Sequence, residues 1–95
     1  MAAYFCVELD ITNMDAMAAY RAAVPATLEQ YGGRFLTRGG KTELVEGGPE
    51  PKRIVILEFA DAVACKRWYD SPEYQKILPD RLKNSSGRAF IVEGA

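Results

Sequence analysis

Histidine is absent from this chain of 95 residues. It is the usual axial ligand of haem, a common ligand of catalytic zinc, and the base of Ser-His-Asp and Cys-His sites. Its absence excludes those classes of site, and we expect no metal and no other cofactor. The composition also excludes a disordered chain or a membrane span, because 48% of the residues are hydrophobic and 26% are charged, as in ordinary globular domains.

The chain also has little excess charge of either sign. Twelve lysines and arginines oppose thirteen aspartates and glutamates, which gives a formal net charge of −1. Proteins that bind nucleic acids or anionic membranes present a strongly basic face. We therefore expect neither a nucleic acid nor a membrane as a partner.

Cysteine is scarce, with only Cys6 and Cys65 in the chain. Neither belongs to a CxxC pair, and no pattern typical of a signal peptide precedes Cys6. We expect both to be small buried hydrophobic residues in a reduced, cytoplasmic protein.

The length predicts a single domain over residues 1–95. Apolar and polar residues alternate from Ala3 to Ile11, which predicts a strand with one apolar face. An apolar stripe with spacings of three and four residues then predicts a helix that Pro25 kinks without ending. Gly32 and Gly33 are predicted to end this helix.

The second half of the chain continues the alternation of strands and helices. Arg34–Arg38 begins a second strand, which we predict to continue through a bulge at Gly39 and Gly40 as far as Glu46. A loop rich in glycine and proline separates it from a third strand at Arg53–Phe59.

Asp61 and Ser71 are predicted to cap two further helices, with Pro72 in the first turn of the second. Pro79 is predicted to break the last turn of this second helix, and Leu82 is expected to face inward. A loop over residues 84–87 is expected to lead into the last strand, at residues 88–93.

This order of elements predicts an α+β fold of the ferredoxin-like βαββαβ type. Two split βαβ units form a four-stranded antiparallel sheet in the order 4-1-3-2, with the helices on one face. The strands nevertheless leave apolar residues on the other face, including Tyr4, Cys6, Ile54 and Ile56. An exposed patch of this kind marks an interface. We therefore expect a homodimer that buries on the order of 800 Å² per subunit.

Several strings strongly resemble family 1330 of the domains of unknown function: YRAAVP, YGGRFLTRGG, LEF, WYDSPEY and the closing VEG. The resemblance covers nearly the whole chain and implies membership of the dimeric α/β barrel superfamily, in which two ferredoxin-like sheets pack face to face. That superfamily includes cofactor-free monooxygenases, muconolactone isomerases and haem enzymes. The absence of histidine excludes the haem branch here.

Two interpretations of the charged sheet residues remain open. In the first, Arg88 meets Glu8 or Asp10 across the strands and Arg34 meets Glu58, as structural ion pairs. In the second, a pocket between sheet and helices or in the dimer lumen holds a substrate. There Glu8 or Glu58 acts as a base with a raised pKa. The guanidinium group that holds the anionic substrate is then contributed by Arg38 or Arg81.

Three further residues are candidates for substrate binding: Tyr4, Trp68 and Ser86. Trp68 either stacks on a ligand or packs in the core, as its helical spacing suggests. Arg81 either binds a phosphate or carboxylate together with hydroxyl groups such as that of Ser86, or caps carbonyls at the end of its helix.

These residues predict a small-molecule-binding protein or a cofactor-free enzyme, isomerase-like or monooxygenase-like, that acts on a compact organic anion. The alternative is a non-catalytic dimeric binding or interaction module. The sequence leaves open whether the chain is an enzyme.

Overall fold

The computed structural model describes residues 1–95 as a four-stranded antiparallel sheet with its helices on one face. The elements are β1 (Ala3–Ile11), a 3₁₀ turn (Asp15–Met17), α1 (Ala18–Tyr31), β2 (Arg34–Arg38), β3 (Arg53–Phe59), α2 (Ala62–Tyr69), α3 (Pro72–Asn84) and β4 (Ser85–Glu93). The spatial order is β2-β3-β1-β4, which is the predicted order read from the opposite edge. The predicted α+β βαββαβ fold is confirmed.

The helix boundaries follow local signals in the sequence. Asp61 accepts a hydrogen bond from the backbone nitrogen of Ala64 at 2.7 Å, and Ser71 accepts one from that of Tyr74 at 3.1 Å. Both predicted caps are therefore confirmed, and they satisfy backbone donors that would otherwise lack partners. Pro25 lies inside α1, as predicted. No helix combines the length and the apolar character needed to cross a bilayer.

The second strand is shorter than predicted, because β2 ends at Arg38 and residues 39–52 form neither a helix nor a strand. Gly39 takes a positive φ of 72°, which turns the chain away from the sheet. Its backbone nitrogen donates a hydrogen bond to the Ile54 carbonyl at 2.8 Å. The pairing irregularity lies between Phe35 and Thr37 rather than at Gly39 and Gly40.

The end of the third helix also differs from the prediction. The α3 helix continues through Pro79 to Asn84, and β4 begins at the next residue, so the predicted loop over 84–87 is wrong. Side chains of Asn84 and Ser85 donate hydrogen bonds to the carbonyls of Asp80 and Arg81, which satisfies the last turn of the helix.

The prediction for Leu82 is wrong as well. Its side chain is 61% exposed, because the inward side of the last turn of α3 is occupied by Arg81.

The hydrophobic core lies between the sheet and the helices and is rich in aromatic residues. Trp68 is 1% exposed and packs edge-on against Phe5, with ring centroids 5.3 Å apart. Its ring centroid is 4.1 Å from that of Tyr74, and its Nε1 donates to Thr27 Oγ1 at 3.0 Å. Trp68, which lies in α2, therefore ties both α1 and α3 to strand β1.

The opposite face of the sheet, here called the open face, has no helix over it. It carries Ile54 and Ile56, which are half-buried in the single chain, and Phe90 and Val92, which are each 46% exposed. The registers of β1 with β3 and β4 place these four side chains beside Cys6 and its neighbours. The prediction that the sheet is apolar on the open face as well as on the face covered by helices is confirmed.

Both cysteines are free thiols. Cys65 is fully buried, and burial raises the pKa of its thiol to about 11, so it stays protonated at neutral pH. It is the small hydrophobic residue that was expected. Cys6 is only half-buried, because it lies on the open face.

Candidate functional site

A pocket enters the molecule between the covered face of the sheet and the helices. Its free volume is about 50 Å³, or about 510 Å³ when the space at its open mouth and the solvent there are included. Twelve of its sixteen lining residues are hydrophobic, and the other four are all arginines: Arg21, Arg38, Arg53 and Arg81. No aspartate or glutamate lines it. No group of three or more histidine, cysteine, aspartate or glutamate side chains that could hold a metal ion is found.

Arg81 projects from α3 and is the most buried of the four arginines, with 6% of its surface exposed. Its Nε is buried and has no hydrogen-bond partner, and none of the three ion pairs in the structure includes it. A buried charge without a counter-charge is costly. The arrangement is therefore suited to an anion that enters the pocket and supplies the missing partner.

Two tyrosine hydroxyls lie beside Arg81. The hydroxyl oxygens of Tyr20 and Tyr74 are 2.6 Å apart. Burial raises the pKa of both phenols, and the positive charge of Arg81 opposes this only in part. Both phenols are therefore protonated at neutral pH. Because one hydroxyl donates to the other, one phenolic proton is left for a hydrogen bond to a ligand.

The other three arginines come together where β2 ends and β3 begins. Arg38 Nη2 donates a hydrogen bond to the Arg21 carbonyl, and the Arg38 guanidinium lies 4.4 Å from the centre of the Phe35 ring. Burial lowers the pKa of Arg53, and repulsion from Arg21 and Arg38 lowers it further. The Nε of Arg21 is also buried and unpartnered. These three charges destabilise one another in the absence of an anion.

Gly39 makes room for this group of arginines. A Cβ atom at this position would lie 2.3 Å from the guanidinium carbon of Arg53. A side chain there would therefore push Arg53 away from its position in the pocket.

Three of the predicted site residues line this pocket together: Arg38, Arg81 and Trp68. The two glutamates do not join them, because successive residues of a strand face opposite sides of the sheet. Glu58 pairs with Arg34 at 2.6 Å on the open face. Glu8 lies on the same face.

Glu8 Oε1 is 3.9 Å from Arg88 Nε, and Glu8 Oε2 accepts a hydrogen bond from the backbone nitrogen of Lys52. The interpretation of these glutamates as members of cross-strand ion pairs therefore agrees with the geometry. The other interpretation needs a glutamate beside Arg38 or Arg81, and the structure does not provide one.

The remaining candidates, Tyr4 and Ser86, do not line the pocket. Tyr4 lies on the open face opposite Glu58. Ser86 is exposed on β4 and pairs with Asp10. The predicted loop around Ser86 is part of β4, and the hydroxyls on which Arg81 acts are those of Tyr20 and Tyr74.

Sequence reasoning missed Tyr20, Arg21 and Arg53 as pocket residues. Arg53 carried a detectable signal, since it occupies a position of β3 that alternates in phase with Val55 and Leu57, which face the helices. A charged residue at such a position is unusual unless it has a partner or a function. Tyr20 gave no separate signal, because it fits the apolar stripe of α1.

Comparison with solved structures shows the same fold in several proteins. A protein of unknown function from Rhodopseudomonas palustris is 17% identical with a TM-score of 0.79, covering 99% of this chain and 82% of that one. A dimeric ferredoxin-like protein of unknown function from Jannaschia is 16% identical with a TM-score of 0.75, covering 99% and 100%.

SnoaB, a cofactor-independent oxygenase from Streptomyces nogalater, is 15% identical with a TM-score of 0.70, covering 99% of this chain and 93% of its own. At these identities the likeness establishes the fold alone. None of the proteins with curated descriptions matches the chain.

A protein family also matches the chain over nearly its whole length. The profile of the family described as a domain of unknown function, DUF1330, matches residues 2–95. It spans both split βαβ units and every residue that lines the pocket. The chain therefore belongs to the DUF1330 family.

Proposed function

We propose that this protein binds a compact organic anion in the pocket between its helices and its sheet. The observation that carries the proposal is Arg81, a buried and unpaired cation in a pocket without a carboxylate. A guanidinium can donate two parallel hydrogen bonds to a carboxylate, and the low polarity of the surroundings strengthens them. The apolar walls would bind the hydrocarbon part of the ligand.

The same geometry limits the chemistry of the pocket. It offers guanidinium and phenol donors, whereas Glu8 and Glu58 lie on the open face. Such donors stabilise an oxyanion, for example a carboxylate or an enolate, but they do not remove a proton from carbon. A cofactor-free reaction here requires a substrate that ionises without help from a protein base.

A second candidate function is therefore cofactor-free turnover of an enolisable anion. The Tyr20 and Tyr74 hydroxyls beside Arg81 favour it, because they could hold the enolate oxygen. SnoaB, which shares the fold, is described as a cofactor-independent oxygenase, and this is compatible with the candidate.

Substitution of Arg81 tests the proposed binding function. Trp68 is the only tryptophan and lines the pocket, so its fluorescence reports occupancy. We expect small carboxylates and enolisable keto acids to change this fluorescence in a saturable manner. Arg81→Gln is expected to weaken binding by about 10-fold to 100-fold, the usual value of a hydrogen bond to a charged group.

Arg34→Gln is the matched control, because Arg34 pairs with Glu58 on the open face. It is expected to leave the affinity unchanged. If Arg34→Gln and Arg81→Gln weaken binding equally, the ligand does not bind in the pocket. Following the ligand by NMR during the same titration separates the two candidates, since an enzyme consumes or isomerises it and a binding protein does not.

We further propose that the open face is covered by a second copy of the chain. Ile54, Ile56, Phe90 and Val92 lie together on this face, and leaving them in water would forgo apolar burial worth about 1.5 to 3 kcal/mol for each large side chain. Dimers are described among the proteins of the same fold, including the one from Jannaschia. A two-fold axis would pair the patch with itself.

Light scattering tests this assembly. The native chain is expected to show twice its mass of 10.5 kDa. Phe90→Asp is expected to produce monomers, because it places a charge in the apolar patch. Val63→Asp is the control, since Val63 is 63% exposed on α2, away from the open face. A native chain that stays monomeric at micromolar concentration would contradict the proposal.

A further inference from the structure

The positive charges of the pocket are divided between two places. Arg81 is buried next to Tyr20 and Tyr74, and its charge acts on both phenols. Arg21 and Arg38 both act on Arg53, where β2 ends and β3 begins, and the charge of Arg38 also reaches Tyr20. We call the first the inner subsite and the second the outer subsite.

The two subsites differ in exposure. Arg81 is buried, Arg21 and Arg53 are half-buried, and Arg38 is exposed. The inner subsite therefore lies deep in the pocket and the outer one at its mouth. The pocket residues other than arginine are hydrophobic, so both subsites lie in a pocket with apolar walls.

An anionic group held at one subsite leaves a buried guanidinium nitrogen of the other subsite without a partner. Each contains a guanidinium whose Nε is buried without a partner, Arg81 in the inner subsite and Arg21 in the outer. A single carboxylate at Arg81 would leave the repulsion among the three outer arginines in place. A single carboxylate at the outer subsite would leave Arg81 buried and unpaired. The free-energy cost of that buried charge exceeds the cost of repulsion among the more exposed outer arginines.

We propose that the ligand is a short dicarboxylic acid, with one carboxylate at Arg81 and the other at Arg21, Arg38 and Arg53. This inference rests on the proposed function and specifies its ligand class. A phosphate monoester carries both charges on one group and would leave one subsite empty. A dicarboxylate supplies two separate anionic groups and an apolar spacer that suits the hydrophobic lining.

The volume of the pocket restricts the length of the spacer. The free volume of the pocket is about 50 Å³, which is room for only about four water molecules. This space takes one carboxylate and the first carbons of the spacer. The second carboxylate then lies in the open mouth, within the larger volume of about 510 Å³.

The test compares acids of equal chain length that carry one or two carboxylates. Malonate, succinate and glutarate are titrated against propionate, butyrate and pentanoate, with calorimetry and Trp68 fluorescence as readouts. Ionic strength is held constant, because salt screens charged contacts. We expect the best dicarboxylate to bind at least about tenfold more tightly than its monocarboxylate partner, because it gains a second set of charged hydrogen bonds.

Variants at the two subsites assign the second carboxylate. Arg53→Gln is expected to weaken the best dicarboxylate by about tenfold and to affect the monocarboxylate by less than about threefold. Arg53→Lys keeps the charge and should recover part of the loss, which separates the effect from misfolding. Arg88→Gln, on the open face, is the control.

The outcomes distinguish failure of the dicarboxylate inference from failure of the proposed function. Equal affinity for mono- and dicarboxylates overturns the dicarboxylate inference and leaves anion binding intact. Tighter binding of inorganic phosphate or glycerol phosphate than of every dicarboxylate overturns it too. If no carboxylate binds to the native protein, both the inference and the proposed function fail.

Discussion

Replacing Trp68 with alanine is expected to lower the free energy of unfolding by about 3 to 5 kcal/mol, the usual cost of removing a buried tryptophan. The side chain is 1% exposed and packs against rings from β1, β3 and α3. Its removal leaves a cavity among those rings. It also leaves Thr27 Oγ1 without the indole donor. Few other single residues contact so many elements of the fold.

Thermal unfolding followed by circular dichroism measures this effect without relying on the lost fluorophore. For a domain of this size, each kcal/mol shifts the midpoint by about 4 to 8 °C, so a drop on the order of 12 to 40 °C is expected. Trp68→Phe keeps most of the aromatic contacts and should lie between the native chain and Trp68→Ala. Val63→Ala, at an exposed position of the same helix, is the control. A drop no larger than that of the control would contradict the described core.

Replacing Gly87 with alanine is expected to destabilise the protein by about 2 to 5 kcal/mol, the sum of backbone strain and overpacking. Gly87 has a φ of 148°, which side chains rarely adopt. An added Cβ would lie 2.0 Å from the carbonyl oxygen of Glu8. Gly87 pairs with Leu9, the third pair from one end of the β1–β4 ladder, so the collision forces these two strands apart.

Urea unfolding gives the loss of stability, and amide hydrogen exchange locates it. Faster exchange is expected along β1 and β4, while the pairing of β2 with β3 should change less. Gly40→Ala is the matched control, because the nearest atom to its added Cβ is Thr37 Oγ1 at 3.4 Å. It is expected to change stability by less than about 1 kcal/mol. Equal stability of the two variants would mean that β1 and β4 are not paired at Gly87.

The fold could be predicted from the sequence because its determinants are local. Alternation in residues 3–11 and a nearly continuous apolar run in residues 53–59 define two strands. The side chains of Asp61 and Ser71 begin two helices where their hydrogen bonds form. The errors lie at boundaries. A turn and a bulge at Gly39 have the same sequence signal, and only the surrounding contacts decide between them.

The site was predicted less completely because a pocket is a product of tertiary packing. Arg38 and Arg81 were identified, but Glu8 and Glu58 were expected beside them, and the structure places both on the opposite face. The strand alternation already contained this information, since both glutamates are in phase with residues that face away from the helices. Tyr20 could not be found from the sequence, because its hydroxyl contact with Tyr74 joins residues 54 positions apart.

The irregular segment of residues 39–52 begins and ends next to arginines of the pocket, Arg38 and Arg53. No residue of this segment belongs to the buried core, which the strands and helices supply. Insertions and substitutions there can therefore alter which molecules reach the guanidinium groups at little cost to folding. Under the proposed function, this would separate the part of the chain that sets ligand choice from the part that maintains the architecture.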